Sequence, residues 1–130
     1  MNVMVTSLYA GLLGALYIVL STRVMLWRFS SGVVAGDDGD ETNLALIRGH
    51  ANFFEFVPMT LLLILVTELS GAEPGWIHAM GAGLVVARVM HAVGMWRQVG
   101  ISFGRRAGTG LTMTVLSAAT LLCVLDGLGR

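Results

Sequence analysis

Four polar side chains lie close together in the otherwise apolar segment 44–69: Arg48, His50, Asn52 and Glu55. At about 100° per helical residue, Asn52 lies roughly 40° from Arg48 and Glu55 roughly 20° from it on the other side. His50 points about 200° away, almost to the opposite side of the helix. Arg48, Asn52 and Glu55 therefore form one polar stripe, and the spacing from Arg48 to Glu55 makes it about 10 Å long.

A second apolar segment carries Arg88 near its middle and His91 one turn later. An ionisable group at bilayer depth is costly and indicates a functional site. Glu55 is the acid at comparable depth, so the sequence predicts a buried Glu55–Arg88 pair. Such a pair would at the least hold two helices in register. However, Arg48 and Arg88 outnumber this one acid, and a surplus of guanidinium groups is typical of a site for an external anion.

The dimensions of the stripe indicate the size of a ligand. An extended tripeptide is about 10 Å long, which equals the length of the stripe. Carboxylates would suit the arginines and an ammonium group would suit Glu55, so the residues predict a small, mostly anionic zwitterion. For His50 and His91 the alternative is a hydrogen bond between helices. Two histidines without a third ligand do not predict a metal site.

The elements that must position these residues are membrane helices. The chain is 55% hydrophobic and 12% charged, with a mean hydropathy of +0.78, whereas soluble domains carry roughly 25% charge. A membrane helix needs about 20 apolar residues. The segments that qualify are Val3–Leu26, Leu44–Leu69, Gly75–Trp96 and Gly108–Leu128. The sequence therefore predicts an all-α integral membrane four-helix bundle, with residues 1–130 forming one domain.

Composition also excludes several classes of protein. Eight arginines balance eight acids and lysine is absent, which argues against nucleic acid binding because that needs a basic surface. Cys123 is the single cysteine, so an intramolecular disulfide and a cysteine-based zinc cluster are excluded. The first segment contains no acid, which disfavours a small multidrug transporter with its essential acid in the first helix.

Arginine placement predicts the orientation of the chain in the membrane. Arg23 and Arg28 flank the first connection, and Arg97, Arg105 and Arg106 flank the third, whereas the second connection has none. Cytoplasmic connections carry the excess of basic residues. We therefore expect connections one and three in the cytoplasm and both termini in the periplasm.

The motif RGHANFFEFVP at residues 48–58 resembles the R-x-H-x-N-x-x-E-x-x-P pattern of the MAPEG family, the membrane-associated proteins in eicosanoid and glutathione metabolism. The segment ARVMHAVG at residues 87–94 fits the family's R-x-x-H, and the GDDG turn at residues 36–39 resembles short bacterial members. The resemblance covers essentially the whole chain in length, number of spans, motif order and orientation.

This resemblance implies a homotrimer in a bacterial inner membrane, with glutathione bound between neighbouring subunits near the cytoplasmic side. At the positions that match the family's motif, Arg48, Asn52 and Glu55 would hold glutathione, and Arg88 would support Glu55 or contact the ligand. His50 and His91 also match site positions of the family. Arg28, at the end of the first helix, would contribute to the site from a neighbouring subunit.

The resemblance also implies a glutathione-dependent transferase or peroxidase that acts on small lipophilic electrophiles. Arg105 or Arg106 would stabilise the thiolate, since an unperturbed thiol has a pKa near 8.5. The alternative for these two residues is an anchor at the headgroup level. Met95 replaces a tyrosine found in several eicosanoid-making members. A non-catalytic protein, with the polar motif as a lock between helices, is the alternative function.

Overall fold

The computed structural model describes residues 4–97 and 100–129. This part of the chain forms four helices, and the predicted all-α fold is confirmed. Each of the four is long and apolar enough to cross a membrane. Their bounds are α1 (Met4–Ser31), α2 (Glu41–Leu69), α3 (Pro74–Arg97) and α4 (Phe103–Gly127).

All four helices extend beyond their predicted apolar segments at one end or both, and α1 and α4 do so by five residues. α1 continues beyond Leu26 to Ser31, and α4 begins at Phe103 instead of Gly108; Val3, the predicted start of the first helix, lies outside the described residues. These two extensions contain arginine, which favours helix although it lowers the local hydropathy. Ser102 caps α4, because its hydroxyl accepts a hydrogen bond from the backbone N–H of Arg105. Arg105 and Arg106 therefore lie in the first turns of α4.

Asp40 caps α2. Its carboxylate accepts hydrogen bonds from the backbone N–H groups of Thr42 at 2.7 Å and Asn43 at 3.1 Å. These bonds favour the charged form and lower the pKa of Asp40 below its usual value. The cap lets α2 begin at Glu41, before its apolar part.

Close packing of α3 on α4 depends on glycine. A Cβ atom on Gly108 would lie 2.6 Å from the carbonyl oxygen of Ala87, and one on Gly94 would lie 2.6 Å from the backbone nitrogen of Arg105. No real side chain fits at these distances. α3 also packs on α1 and α2, so it contacts all three other helices. Polar residues in the middle of α3 are therefore buried inside the bundle.

At the opposite end of the bundle, α2 supplies a cap for α1. The two carboxylate oxygens of Glu68 accept hydrogen bonds from the backbone N–H groups of Val5 and Thr6 at 3.0 and 2.9 Å. Tyr9 then reaches α3, where its hydroxyl lies 2.9 Å from Nδ1 of His78. These contacts fix the start of α1 against α2 and α3, and so help to hold α1 in place.

Candidate functional site

Arg88 is the centre of a polar cluster where α2, α3 and α4 meet. Its side chain is 1% exposed. Nη2 donates to Oδ1 of Asn52 at 2.8 Å and lies 3.4 Å from Nδ1 of His91. Nη1 lies 3.5 Å from Oγ1 of Thr112, whose own hydroxyl donates to the carbonyl of Gly108. These partners are an amide, an imidazole and a hydroxyl, and none of them carries a negative charge.

The guanidinium of Arg88 keeps one donor free. Its Nε is buried and has no hydrogen-bond partner within the described residues. A buried arginine normally pairs with an acid, because an uncompensated charge is expensive in a membrane interior. The cluster therefore has both unneutralised positive charge and an unused hydrogen-bond donor.

The predicted Glu55–Arg88 pair is wrong. Oε1 of Glu55 lies 3.5 Å from Nη1 of Arg48, within the same helix, and the two side chains are 47% and 56% exposed. Glu55 lies about 60° around α2 from Asn52, which is the residue that faces Arg88. Helical geometry thus turns the acid to the outer flank of α2 and the amide to the inner one.

His50 faces α1, on the other side of α2. Its Nε2 lies 3.1 Å from Oγ of Ser21, and its ring stacks on Tyr17 with 5.2 Å between ring centroids. This is the hydrogen bond between helices that the sequence left open as an alternative for His50. The histidine therefore joins α1 to α2 and does not belong to the cluster around Arg88.

His91 lies inside the cluster and is 4% exposed. One turn later, Met95 is also buried and lies against α2, since a Cβ on Gly49 would be 3.8 Å from its side chain. The position that the resemblance associates with a tyrosine in some members is thus filled by an apolar group between α2 and α3.

The structure separates the two arginines at the start of α4. Nη1 of Arg105 donates to the carbonyl of Gly100 at 2.6 Å, and the residue is partly buried. Arg106 is exposed, and its side chain has no hydrogen bond or ion pair to any described residue. The backbone nitrogen of Arg105 would lie 2.6 Å from a Cβ on Gly94, so Arg105 is the one of the two that begins at the contact of α4 with α3.

Arg28 is held apart from the cluster in the single chain. Its Nη1 donates to the carbonyl of Val33 at 3.2 Å, and its guanidinium lies 5.2 Å from the ring centroid of Trp27. The structure thus brings together Asn52, Arg88 and His91. Sequence reasoning missed Thr112, for which the one available signal was a hydroxyl in an apolar helix.

A buried polar cluster inside four membrane-length helices defines an integral multi-pass membrane protein with an interior polar site. The chain belongs to the MAPEG family, whose sequence model matches residues 6–125. It is similar to the inner membrane protein YecN of Escherichia coli strain K12, with 35% identity over 105 residues, or 76% of this chain and 80% of that one. The YecN protein of Escherichia coli O6:H1 matches with the same values.

Proposed function

We propose that this chain is an inner membrane protein that binds glutathione and uses it against small lipophilic electrophiles. The observation that carries the proposal is the buried Arg88, which has no carboxylate partner and an unused Nε. An anionic ligand would supply the missing negative charge. Membership of a glutathione-associated family supports glutathione as that ligand, and the name of the YecN relatives supports the inner membrane.

Glutathione offers groups that complement the polar stripe. Its two carboxylates would pair with Arg48 and with the cluster around Arg88, and its ammonium group would pair with Glu55. The Arg48–Glu55 contact, at 3.5 Å and half-exposed, is a loose ion pair that a zwitterion can replace without breaking the fold. His91 would line the inner part of the site.

A homotrimer completes this site. The side chains of Arg48 and Glu55 are 56% and 47% exposed on a membrane helix. Lipid solvates charges poorly, so such groups face protein or an aqueous cavity. A neighbouring subunit over this flank would cover them, and its Arg28 would then contribute to the site as the family resemblance implies.

The reaction would need the thiolate of glutathione, and we assign its stabilisation to Arg105 in preference to Arg106. Arg105 is partly buried and begins where α4 packs on α3, since its backbone nitrogen would lie 2.6 Å from a Cβ on Gly94, whereas Arg106 is exposed. In a transferase reaction the thiolate sulfur forms a bond to the electrophilic carbon and displaces its leaving group, and the thiol proton passes to water. In a peroxidase reaction two glutathione molecules are oxidised to the disulfide while a hydroperoxide is reduced to alcohol and water.

Binding of glutathione to the purified protein in mild detergent, measured by calorimetry, tests the proposal. Glu55→Gln removes the partner of the ammonium group and is expected to weaken binding more than tenfold, since the ligand and the neighbouring subunit would bury this pair and truncating one partner of a buried, hydrogen-bonded charge pair costs about 2–5 kcal/mol. The fold is expected to remain intact, because Glu55 does not contact Arg88. Glu41→Gln, an exposed acid at the start of α2, is the matched control and should bind normally.

Two results would contradict this assignment. If folded wild type binds no glutathione, the proposed ligand is wrong. If Glu55→Gln binds as tightly as wild type, Glu55 is not a ligand residue.

The second candidate is a non-catalytic protein in which the motif acts as a lock between helices. The bond from Arg88 to Asn52 favours it, because it joins α2 to α3 without any ligand. Turnover of a generic lipophilic electrophile separates the two candidates. Glutathione binding without turnover would support the non-catalytic one.

A further inference from the structure

The ring of Phe53 lies against the guanidinium of Arg88. The Cζ atom of Arg88 is over this ring, 5.7 Å from the ring centroid. Both side chains are buried, so the contact is shielded from solvent. The face of an aromatic ring carries negative potential and attracts a cation within about 6 Å, most strongly where the pair is desolvated. Phe53 therefore meets the buried charge of Arg88 with the electrons of its ring.

A ring stabilises a cation differently from a carboxylate. A carboxylate accepts hydrogen bonds from a guanidinium, often two at once, and so occupies its N–H groups. The attraction of a ring face is electrostatic and supplies no oxygen acceptor. In the cluster Nη2 of Arg88 donates to Asn52, and Nε has no partner among the described residues. Phe53 thus lowers the cost of burying the charge while the Nε donor stays available to an anion.

Helix α1 fixes the position of this ring. Tyr17 stacks on Phe53 with 5.5 Å between the ring centroids and 26° between the ring planes. The same tyrosine stacks on His50, which in turn lies within hydrogen-bond distance of Ser21. The ring of Phe53 is therefore held on the side of α1 by a stack that is itself attached to α2. Through this stack, α1 supports the cluster around Arg88.

We propose that Phe53 is a positioning residue for Arg88, whose ring stabilises the guanidinium in the empty site and takes the place of the missing anion until the ligand arrives. The inference rests on the proposed function, in which Arg88 pairs with a carboxylate of glutathione. Two properties follow. The stability of the ligand-free protein should depend on the negative potential of this ring, and that dependence should weaken once a carboxylate shares the charge.

Phenylalanine analogues with one, two or three ring fluorines test the proposal, because fluorine withdraws electrons from the ring face and changes its shape little. Placed at Phe53 of the full chain in mild detergent, they should lower the unfolding midpoint stepwise, by about 5 °C with three fluorines. Phe54, the next residue, points about 100° away on α2 and is the matched control, where the midpoint should not follow the number of fluorines. The trend at Phe53 should also vanish in Arg88→Met.

Three outcomes of the ligand-free series would overturn the proposal. The midpoint is independent of fluorination at Phe53, or it falls equally in the Phe54 series, or the trend at Phe53 persists in Arg88→Met. The Phe54 comparison decides the matter if Arg88→Met does not fold. A role of Phe53 in packing alone would not produce a trend that depends on the charge of Arg88.

The same series with saturating glutathione tests the second property. We expect the stepwise loss at Phe53 to fall to half or less, because the carboxylate then neutralises Arg88. If glutathione binds and the loss stays the same, the ring does not take the place of the ligand anion. If wild type binds no glutathione, the proposed function fails, whereas the ligand-free series still decides the role of Phe53.

Discussion

At the scale of single residues, the most informative contact is the one between Arg88 and Asn52. A neutral amide occupies the place where an acid would neutralise the guanidinium, at 2.8 Å. A carboxylate from the protein would stabilise the empty protein but would compete with any anionic ligand. Asparagine satisfies one donor and leaves the positive charge unneutralised.

The variant Asn52→Asp tests this balance. We expect it to raise the thermal stability of the ligand-free protein, because Arg88 gains an opposite charge, and to weaken glutathione binding at least tenfold. Thermal unfolding and calorimetry in the same detergent measure the two effects. Asn43→Asp adds the same charge in the first turns of α2, outside the cluster, and should leave affinity unchanged. Tighter binding in Asn52→Asp would show that the ligand does not use the charge of Arg88.

The two arginines at the start of α4 should respond differently to lysine. Arg105→Lys loses the planar fork that would stabilise a thiolate, so it should decrease both the thiolate absorbance on adding glutathione and the conjugation rate. Arg106→Lys keeps a charge at the membrane surface and should retain both. Equal activity of Arg105→Lys and wild type would remove Arg105 from the mechanism. Loss of activity in Arg106→Lys alone would reverse the assignment.

At the scale of helices, the close contact of α3 and α4 positions the cluster. Gly108→Ala would place a Cβ 2.6 Å from the carbonyl oxygen of Ala87, and we expect a loss of about 1–3 kcal/mol because such overpacking forces the helices apart. Gly110→Ala is the matched control, since nothing lies within 4 Å of its Cβ. Its stability should stay within about 1 kcal/mol of wild type. Denaturation in detergent measures both, and equal effects would contradict the packing argument.

At the scale of the whole molecule, the arginine distribution predicts the orientation and the exposed stripe predicts a partner. Ser70→Cys, made together with Cys123→Ala, should be labelled by a membrane-impermeant reagent from the periplasm, because the second connection carries no arginine. Labelling from the cytoplasm alone would reverse the orientation.

Native mass spectrometry in mild detergent should show a trimer. A protein that is monomeric in all mild detergents would leave the flank of Arg48 and Glu55 uncovered.

The sequence by itself was sufficient for the properties that depend on local periodicity and composition. Four apolar segments predict four membrane helices, since the bilayer accepts little else of that length. The same periodicity placed His50 opposite Arg48, and His50 does contact α1. It also placed Arg48 and Glu55 on one stripe, where they form an ion pair.

Tertiary structure decided which of these residues meet across helices. The pairing of Arg88 with Asn52 instead of Glu55 depends on the rotation of α2 about its axis relative to α3, and neither helix encodes that angle alone. Thr112 joins the cluster because glycines let α4 approach α3, which is a property of two surfaces. Arg105 lies in the first turn of α4 because that helix begins at Phe103, and hydropathy does not detect a helical turn outside the bilayer. Periodicity describes one helix at a time, whereas a site between helices depends on how they pack.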